Sequence, residues 1–189
     1  MKHSFSKFAV LVIDMQNDFV EEDASTKCKN AKEIVEPIKI LLDNARMKRI
    51  PIVYTLELHR ADGIDFGIEL EKESKHCLEG TRGAEIVEEL LPRKGDYVVT
   101  KRRFSAFFET DLEILLNGLD VDTLVVTGVA TEVCVRATCQ DAKQKDYHVI
   151  VPRECVAGTT VEAHEASLRD IQDFLGEIVP LQDVFKRMQ

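Results

Sequence analysis

An acid, an ammonium and a thiol stand at the ends of three apolar runs in this chain, and together they are the parts of an activated cysteine nucleophile. Asp14 closes the run Phe8–Ile13, Lys101 follows Tyr97–Thr100, and Cys134 ends the turn Gly128-Val129-Ala130-Thr131-Glu132-Val133-Cys134 that follows Thr123–Thr127. A thiol attacks as its thiolate, and free cysteine, with a pKa near ~8.5, is mostly protonated at neutral pH. A helix N-terminus and a nearby ammonium both favour the thiolate, and Cys134 is placed to draw on its own helix and on Lys101. Asp14 is then the natural group to take the thiol proton and return it to a leaving amine. The Gly128–Cys134 turn would aim backbone N–H groups into the same space, as an oxyanion hole for a tetrahedral intermediate. Taken singly, each residue has a blander use: Asp14 as a turn or cap residue, Lys101 as a solvated charge, Cys134 as a small buried hydrophobe. Their joint placement at three strand exits favours the chemistry.

The elements that would hold them follow from the hydrophobic pattern. Phe8–Ile13, Ile50–Leu56, Tyr97–Thr100, Thr123–Thr127 and Tyr147–Val151, with a weaker Glu177–Pro180, are short, nearly continuous and rich in β-branched residues, as expected of strands buried on both faces. Between them lie stripes with helical spacing: Ile34 to Ala45, Ala84 to Leu91, Leu112 to Leu116, Val133 to Ala142 and Ala163 to Phe174. Strand alternating with helix predicts βαβ units and an α/β fold with a mostly parallel sheet covered on both sides. In such sheets ligands bind outside the carboxyl ends of the strands, where the acid, the ammonium and the thiol fall. The stretch from about Glu57 to Thr81 is polar and irregular, and loops of that length are often functional.

Composition bounds the partners. With 189 residues, 44% hydrophobic and 31% charged, the chain suits one domain spanning 1–189, with too many apolar residues for disorder and too many polar ones for a membrane protein. A formal charge of −9 leaves no basic excess to displace counterions, so nucleic acid is not an expected partner. Cys28, Cys77, Cys134, Cys139 and Cys155 are odd in number and scattered, which argues against a disulfide framework. The first apolar run is too short to span a bilayer and lacks a cleavage site, so the expectation is a cytoplasmic protein acting on a small molecule.

Four segments carry a family resemblance: VLVIDMQNDF (Val10–Phe19), HCLEGTRGAEI (His76–Ile86), TKRRFSAFFETDL (Thr100–Leu112) and VVTGVATEVCVRATCQDA (Val125–Ala142). In that order, over nearly the whole chain, the sequence resembles the isochorismatase-like cysteine hydrolases, which include nicotinamidases, N-carbamoylsarcosine amidohydrolases and ureidoacrylate-type amidohydrolases. The resemblance implies a three-layer α/β/α sandwich around a six-stranded, mainly parallel sheet, and an Asp14–Lys101–Cys134 triad. It also implies a cis peptide between Val129 and Ala130 and an oxyanion hole from the N–H groups of Ala130 and Cys134. The reaction implied is cleavage of a small amide or carbamoyl C–N bond through a Cys134 thioester, in a homodimer or homotetramer.

One branch of the family binds a divalent metal. Nicotinamidases have an Asp-aromatic-His segment after the second strand and a later His; this chain reads Glu57-Leu58-His59 and His76, with Asp65 where some members place another His. Carboxylate and imidazole can ligate zinc, iron or manganese, so a site at Glu57, His59 and His76 is chemically feasible. The favoured expectation is that no metal is required and that His59 and His76 fix the long loop through hydrogen bonds. Gln16, Arg103, Phe107 and Thr131 are candidate substrate contacts, Arg103 through bidentate bonding to a carboxylate. The alternatives are a metal-dependent nicotinamidase and, in another class, a non-catalytic thiolate redox or assembly protein.

Overall fold

The computed structural model describes residues 7–24 and 26–188. Strands β1 (Phe8–Ile13), β2 (Ile52–Glu57), β3 (Tyr97–Lys101), β4 (Thr123–Gly128), β5 (His148–Pro152) and β6 (Glu177–Val179) form one sheet in the order β3-β2-β1-β4-β5-β6. Every pairing is parallel, so "mostly parallel" understates the sheet. The chain winds outward from β1 through β2 to β3, then crosses back to lay β4 on the other side of β1. That reversal opens a crevice between the carboxyl ends of β1 and β4.

Alternation along the strands divides the core in two. Val10, Val12, Ile52 and Tyr54 face α2 (Val35–Met47) and α6 (Leu181–Arg187), where Ile38, Leu41, Leu42 and Val184 are buried. Ala9, Leu11, Ile13, Val53 and Val126 face the opposite layer, formed by α3 (Leu112–Gly118), α4 (Arg136–Gln144) and α5 (Val161–Asp170). The three layers are therefore helix, sheet, helix. A further short helix, α1 (Asn17–Val20), follows β1 directly. Among the described residues no helix is long and apolar enough to cross a membrane.

One expected helix does not form. Ala84 to Leu91 folds as two short 3₁₀ turns, Arg82–Ala84 and Glu88–Leu90. Its backbone instead pairs with the exit of β1: Asn17 N–H donates to Glu85 O and Val87 N–H to Met15 O. A helix would commit the Glu85 carbonyl internally, so tertiary pairing overrides the local periodicity.

Candidate active site

Four strand exits converge on one rim, in the spatial order Lys101 on β3, Glu57 on β2, Asp14 after β1 and Cys134 in the turn after β4. Asp14 has a left-handed backbone (φ +49°), uncommon for a non-glycine residue, and its side chain is buried beneath the rim. Lys101 Nζ lies 2.7 Å from Asp14 Oδ2, 3.3 Å from Glu57 Oε2 and 3.5 Å from Cys134 Sγ. Thr55 Oγ1 donates to Asp14 Oδ1 at 2.6 Å and accepts from Asp14 N–H at 3.1 Å. The Val129–Ala130 peptide bond is cis. Cys134 sits in a single π-helical turn, Thr131–Val135, that continues into α4.

The residues after Asp14 build the rim. Gln16 donates its amide to Glu57 O and Ala84 O and accepts from Glu57 N–H, fixing the end of β2. Asn17 donates to Arg82 O. Asp18 accepts from Cys77 N–H at 2.6 Å and lies so close to Gly83 that a Cβ there would meet its carboxylate at 2.2 Å. At the base of β4, Gly128 has φ +105° and a Cβ built on it would fall 2.0 Å from Ile13 O, so only glycine lets the two strand ends meet.

Burial sets the electrostatics. It works against the charge on Lys101, but Asp14, Cys134 and Glu57 outweigh it and hold the ammonium well above its ordinary range. Burial pushes Asp14 up, Lys101 only partly offsetting it. Burial also opposes the charge on Glu57, yet Lys101 and the imidazoles of His59 and His76 bring that carboxyl down to about 2. For Cys134, burial and the carboxylates of Glu57 and Asp14 exceed the pull of Lys101 and push the thiol well up. Burial and the two carboxylates thus favour the thiol over the thiolate, in keeping with Asp14 as the base that takes its proton.

A cavity of about 350 Å³ opens above Cys134. Glu57, Ala130 and Cys134 line it, with Phe19, Phe104, Val129 and Val133 supplying apolar wall. The long loop contributes Lys72, Glu73, Ser74 and His76. Of the five cysteines, all buried, Cys28 is the other that lines this cavity.

The expected substrate contacts are not among its walls. Gln16 is fully buried on the β2 backbone, Phe107 packs on Tyr147 in the opposite layer, and Thr131 pairs its hydroxyl with His164 Nδ1 at 2.8 Å. Arg103 donates to Arg102 O. Arg102 bonds Leu58 O, Asp65 and Glu79, tying the loop to β3. Phe104, from the same segment, does reach the cavity.

Beside Glu57 lies a second buried cluster. Glu57, His59, Glu69 and His76 each offer one ligand atom, all within 4.8 Å of one another. Neither ring nitrogen of His59 has a hydrogen-bond partner, and Glu57 Oε1 and Glu69 Oε1 are equally without one. His59 fixes the loop through its backbone, His59 N–H donating to Cys77 O and Glu79 N–H to His59 O, and not through its ring. His76 does bond Ser74 O through Nδ1, at 2.8 Å, and this points its Nε2 at Glu69, 3.6 Å away. Two imidazoles and two carboxylates face one another here, with Glu57 Oε1, Glu69 Oε1 and both His59 nitrogens lacking a hydrogen bond, and form a donor set that fits a divalent cation. By distance Glu69 completes this set; Asp65, whose Oδ1 lies 3.6 Å from His59 Nδ1, is held by Arg102 and by Arg60 N–H.

A doubly wound parallel sheet with cysteine, lysine and aspartate gathered at one rim is the arrangement of the isochorismatase-like cysteine hydrolases. The chain belongs to the isochorismatase family: the model of the Isochorismatase domain matches residues 8–183. It is 37% identical to a probable inactive nicotinamidase of Arabidopsis thaliana, over 92% of each chain. It is 34% identical to the maleamate amidohydrolase of Pseudomonas putida, covering 97% of this chain and 87% of that one. An isochorismatase-like hydrolase from Alkaliphilus metalliredigens superposes with a TM-score of 0.90 at 35% identity, over 97% of this chain and all of the other (100%). The zinc complex of the pyrazinamidase of Pyrococcus horikoshii gives 0.85 at 29% identity, over 92% and 99% of the two chains.

Proposed function

We propose that this chain is a cysteine amidohydrolase cleaving the C–N bond of a small amide or carbamoyl compound. The observation that carries it is the buried group at the cavity floor, with Lys101 Nζ within 2.7 Å of Asp14 and 3.5 Å of Cys134. Asp14 acts first as general base on the Cys134 thiol, and Lys101 stabilises the thiolate that forms. Sγ adds to the substrate carbonyl, and the backbone N–H groups of Ala130 and Cys134 hold the oxyanion. Collapse expels ammonia or an amine, which takes the proton from Asp14 and leaves a Cys134 thioester. Water then gives a proton to Asp14 as it adds to the thioester. The released thiolate recovers that proton, and the site is reset. Ammonia release across nicotinamide, maleamate, N-carbamoyl amino acids and ureidoacrylate tests the reading, with Cys134→Ala as control. A trapped acyl mass on Cys134 supports it. Turnover that survives Cys134→Ala overturns it.

A second reading, a metal-dependent nicotinamidase, is favoured by the Glu57/His59/Glu69/His76 cluster, in which both His59 nitrogens and one oxygen each of Glu57 and Glu69 lack a hydrogen bond. These side chains would hold zinc, iron or manganese, which when bound supplies a Lewis-acidic anchor for a donor atom of the substrate. Activity towards nicotinamide that is lost on chelation and restored by metal selects this reading; full activity after chelation removes it. A retired site, as the name of the Arabidopsis relative suggests for that protein, would release no ammonia from any of these compounds.

A further inference from the structure

The geometry points to Thr55 as the positioning residue that assigns separate tasks to the two oxygens of Asp14. This rests on the amidohydrolase reading of the site. Thr55 lies on β2, one strand over from Asp14, and both are almost wholly buried. Its hydroxyl can donate once. The lone pair facing Asp14 is engaged by the Asp14 N–H at 3.1 Å, so the hydroxyl proton is directed onto Oδ1 at 2.6 Å. Oδ1 is thereby committed. Oδ2 faces the Lys101 ammonium, 2.7 Å away, and is left as the oxygen that exchanges a proton with Cys134.

The same pair of bonds supports the backbone. Asp14 occupies the left-handed region, which a β-carbon disfavours and which persists only where neighbouring groups over-determine it. Thr55 ties both the N–H and the carboxylate of this one residue to β2, which fixes the backbone and the side-chain rotamer together. No other hydroxyl among the described residues bonds Asp14. Without Thr55 the carboxylate could turn, let Lys101 bridge both oxygens, and leave neither free for the thiol proton. The thiol is then left with Glu57 Oε2, 3.8 Å from Sγ, and the transfer to Asp14 is lost.

The test compares Thr55→Ser, which keeps the hydroxyl, with Thr55→Val, which keeps the shape, and with Thr55→Ala in case the valine variant fails to fold. A charge-assisted hydrogen bond of this kind is worth about a 10- to 100-fold change in rate. On whichever amide the wild type hydrolyses, Val and Ala should lower kcat by about 10- to 100-fold with KM within about threefold, and Ser should stay within about threefold in both. A second readout does not need turnover: alkylation of Cys134 by iodoacetamide at pH 7, followed by peptide mass, also requires the thiol proton to leave. It should slow in Val and Ala and be preserved in Ser. A folded Val variant with wild-type kcat and wild-type alkylation overturns the assignment, as does a Ser variant that falls as far as Val. A wild type that releases no ammonia, yet shows the Ser-against-Val split in alkylation, removes the amidohydrolase reading and leaves Thr55 in its role.

Discussion

Replacing Lys101 by Met keeps the unbranched stem and removes one positive charge from a fully buried site. Two carboxylates, Asp14 at 2.7 Å and Glu57 at 3.3 Å, lose their common cation. With an effective dielectric constant near 20, those separations correspond to about 6 and about 5 kcal/mol of attraction, offset by several kcal/mol of desolvation that the ammonium no longer suffers. An independent bound comes from protonation. The variant can escape the repulsion by putting a proton on one carboxylate at pH 7, which from ordinary carboxylate pKa values costs about 3–4 kcal/mol. Both routes give a destabilisation of about 3–5 kcal/mol. In a chain of 189 residues that corresponds to a fall in Tm of roughly 6–20 °C, and to a shift in urea midpoint of more than about 1 M. The pH dependence supplies the signature. The folded variant holds one more proton than the unfolded chain, so its stability falls as pH rises and recovers as pH drops from 7 towards 5, by about 1.4 kcal/mol per unit. Urea titrations of wild type and variant at pH 5, 6 and 7 measure this. A loss below about 1 kcal/mol, independent of pH, would refute the buried cation as the organising charge of the site.

Chelator-stripped protein should bind one zinc ion by calorimetry; His59→Ala and Glu69→Gln should each weaken it by about 10-fold or more, while Asp65→Asn, at a carboxylate 3.6 Å from His59 Nδ1, should weaken it less than Glu69→Gln does. If Asp65→Asn weakens binding as much as Glu69→Gln, the fourth donor has been misassigned. Because Glu57 titrates near 2 in the folded chain and near its ordinary value unfolded, its contribution to stability is complete above about pH 4.5 and lost as pH falls towards 2. The stability gap between wild type and Glu57→Gln should therefore close on acidification, and a gap that widens would contradict the sign. Gly128→Ala, which would place a Cβ 2.0 Å from Ile13 O at φ +105°, should cost about 3 kcal/mol or more in chemical denaturation; a cost under about 1 kcal/mol would show that the two strand ends can move apart.

The strands and the trio at their ends were legible because each rests on a local cue. A continuous β-branched run marks a strand buried on both faces, and the residue after the run is at the rim whatever the loops do. Direction beyond the rim is not local. Gln16 and Thr131 lie within a few residues of the nucleophile or its acid, yet one turns onto β2 and the other onto His164. Glu69 was hidden for a related reason. It lies in the acidic run Glu69–Glu73, which reads as a solvated face, and in a five-residue 3₁₀ turn with no period to show which side points inward. That reading holds for Glu71 and Lys72, but the Glu69 side chain turns inward against His76 while nearby Ile64 and Ile68 are exposed. His59 sharpens the point. In sequence, a histidine that holds a loop and one that holds an ion are the same letter. What separates them is whether the buried ring nitrogens are hydrogen-bonded, and those of His59 are not, each facing a carboxylate at 3.6–3.7 Å instead.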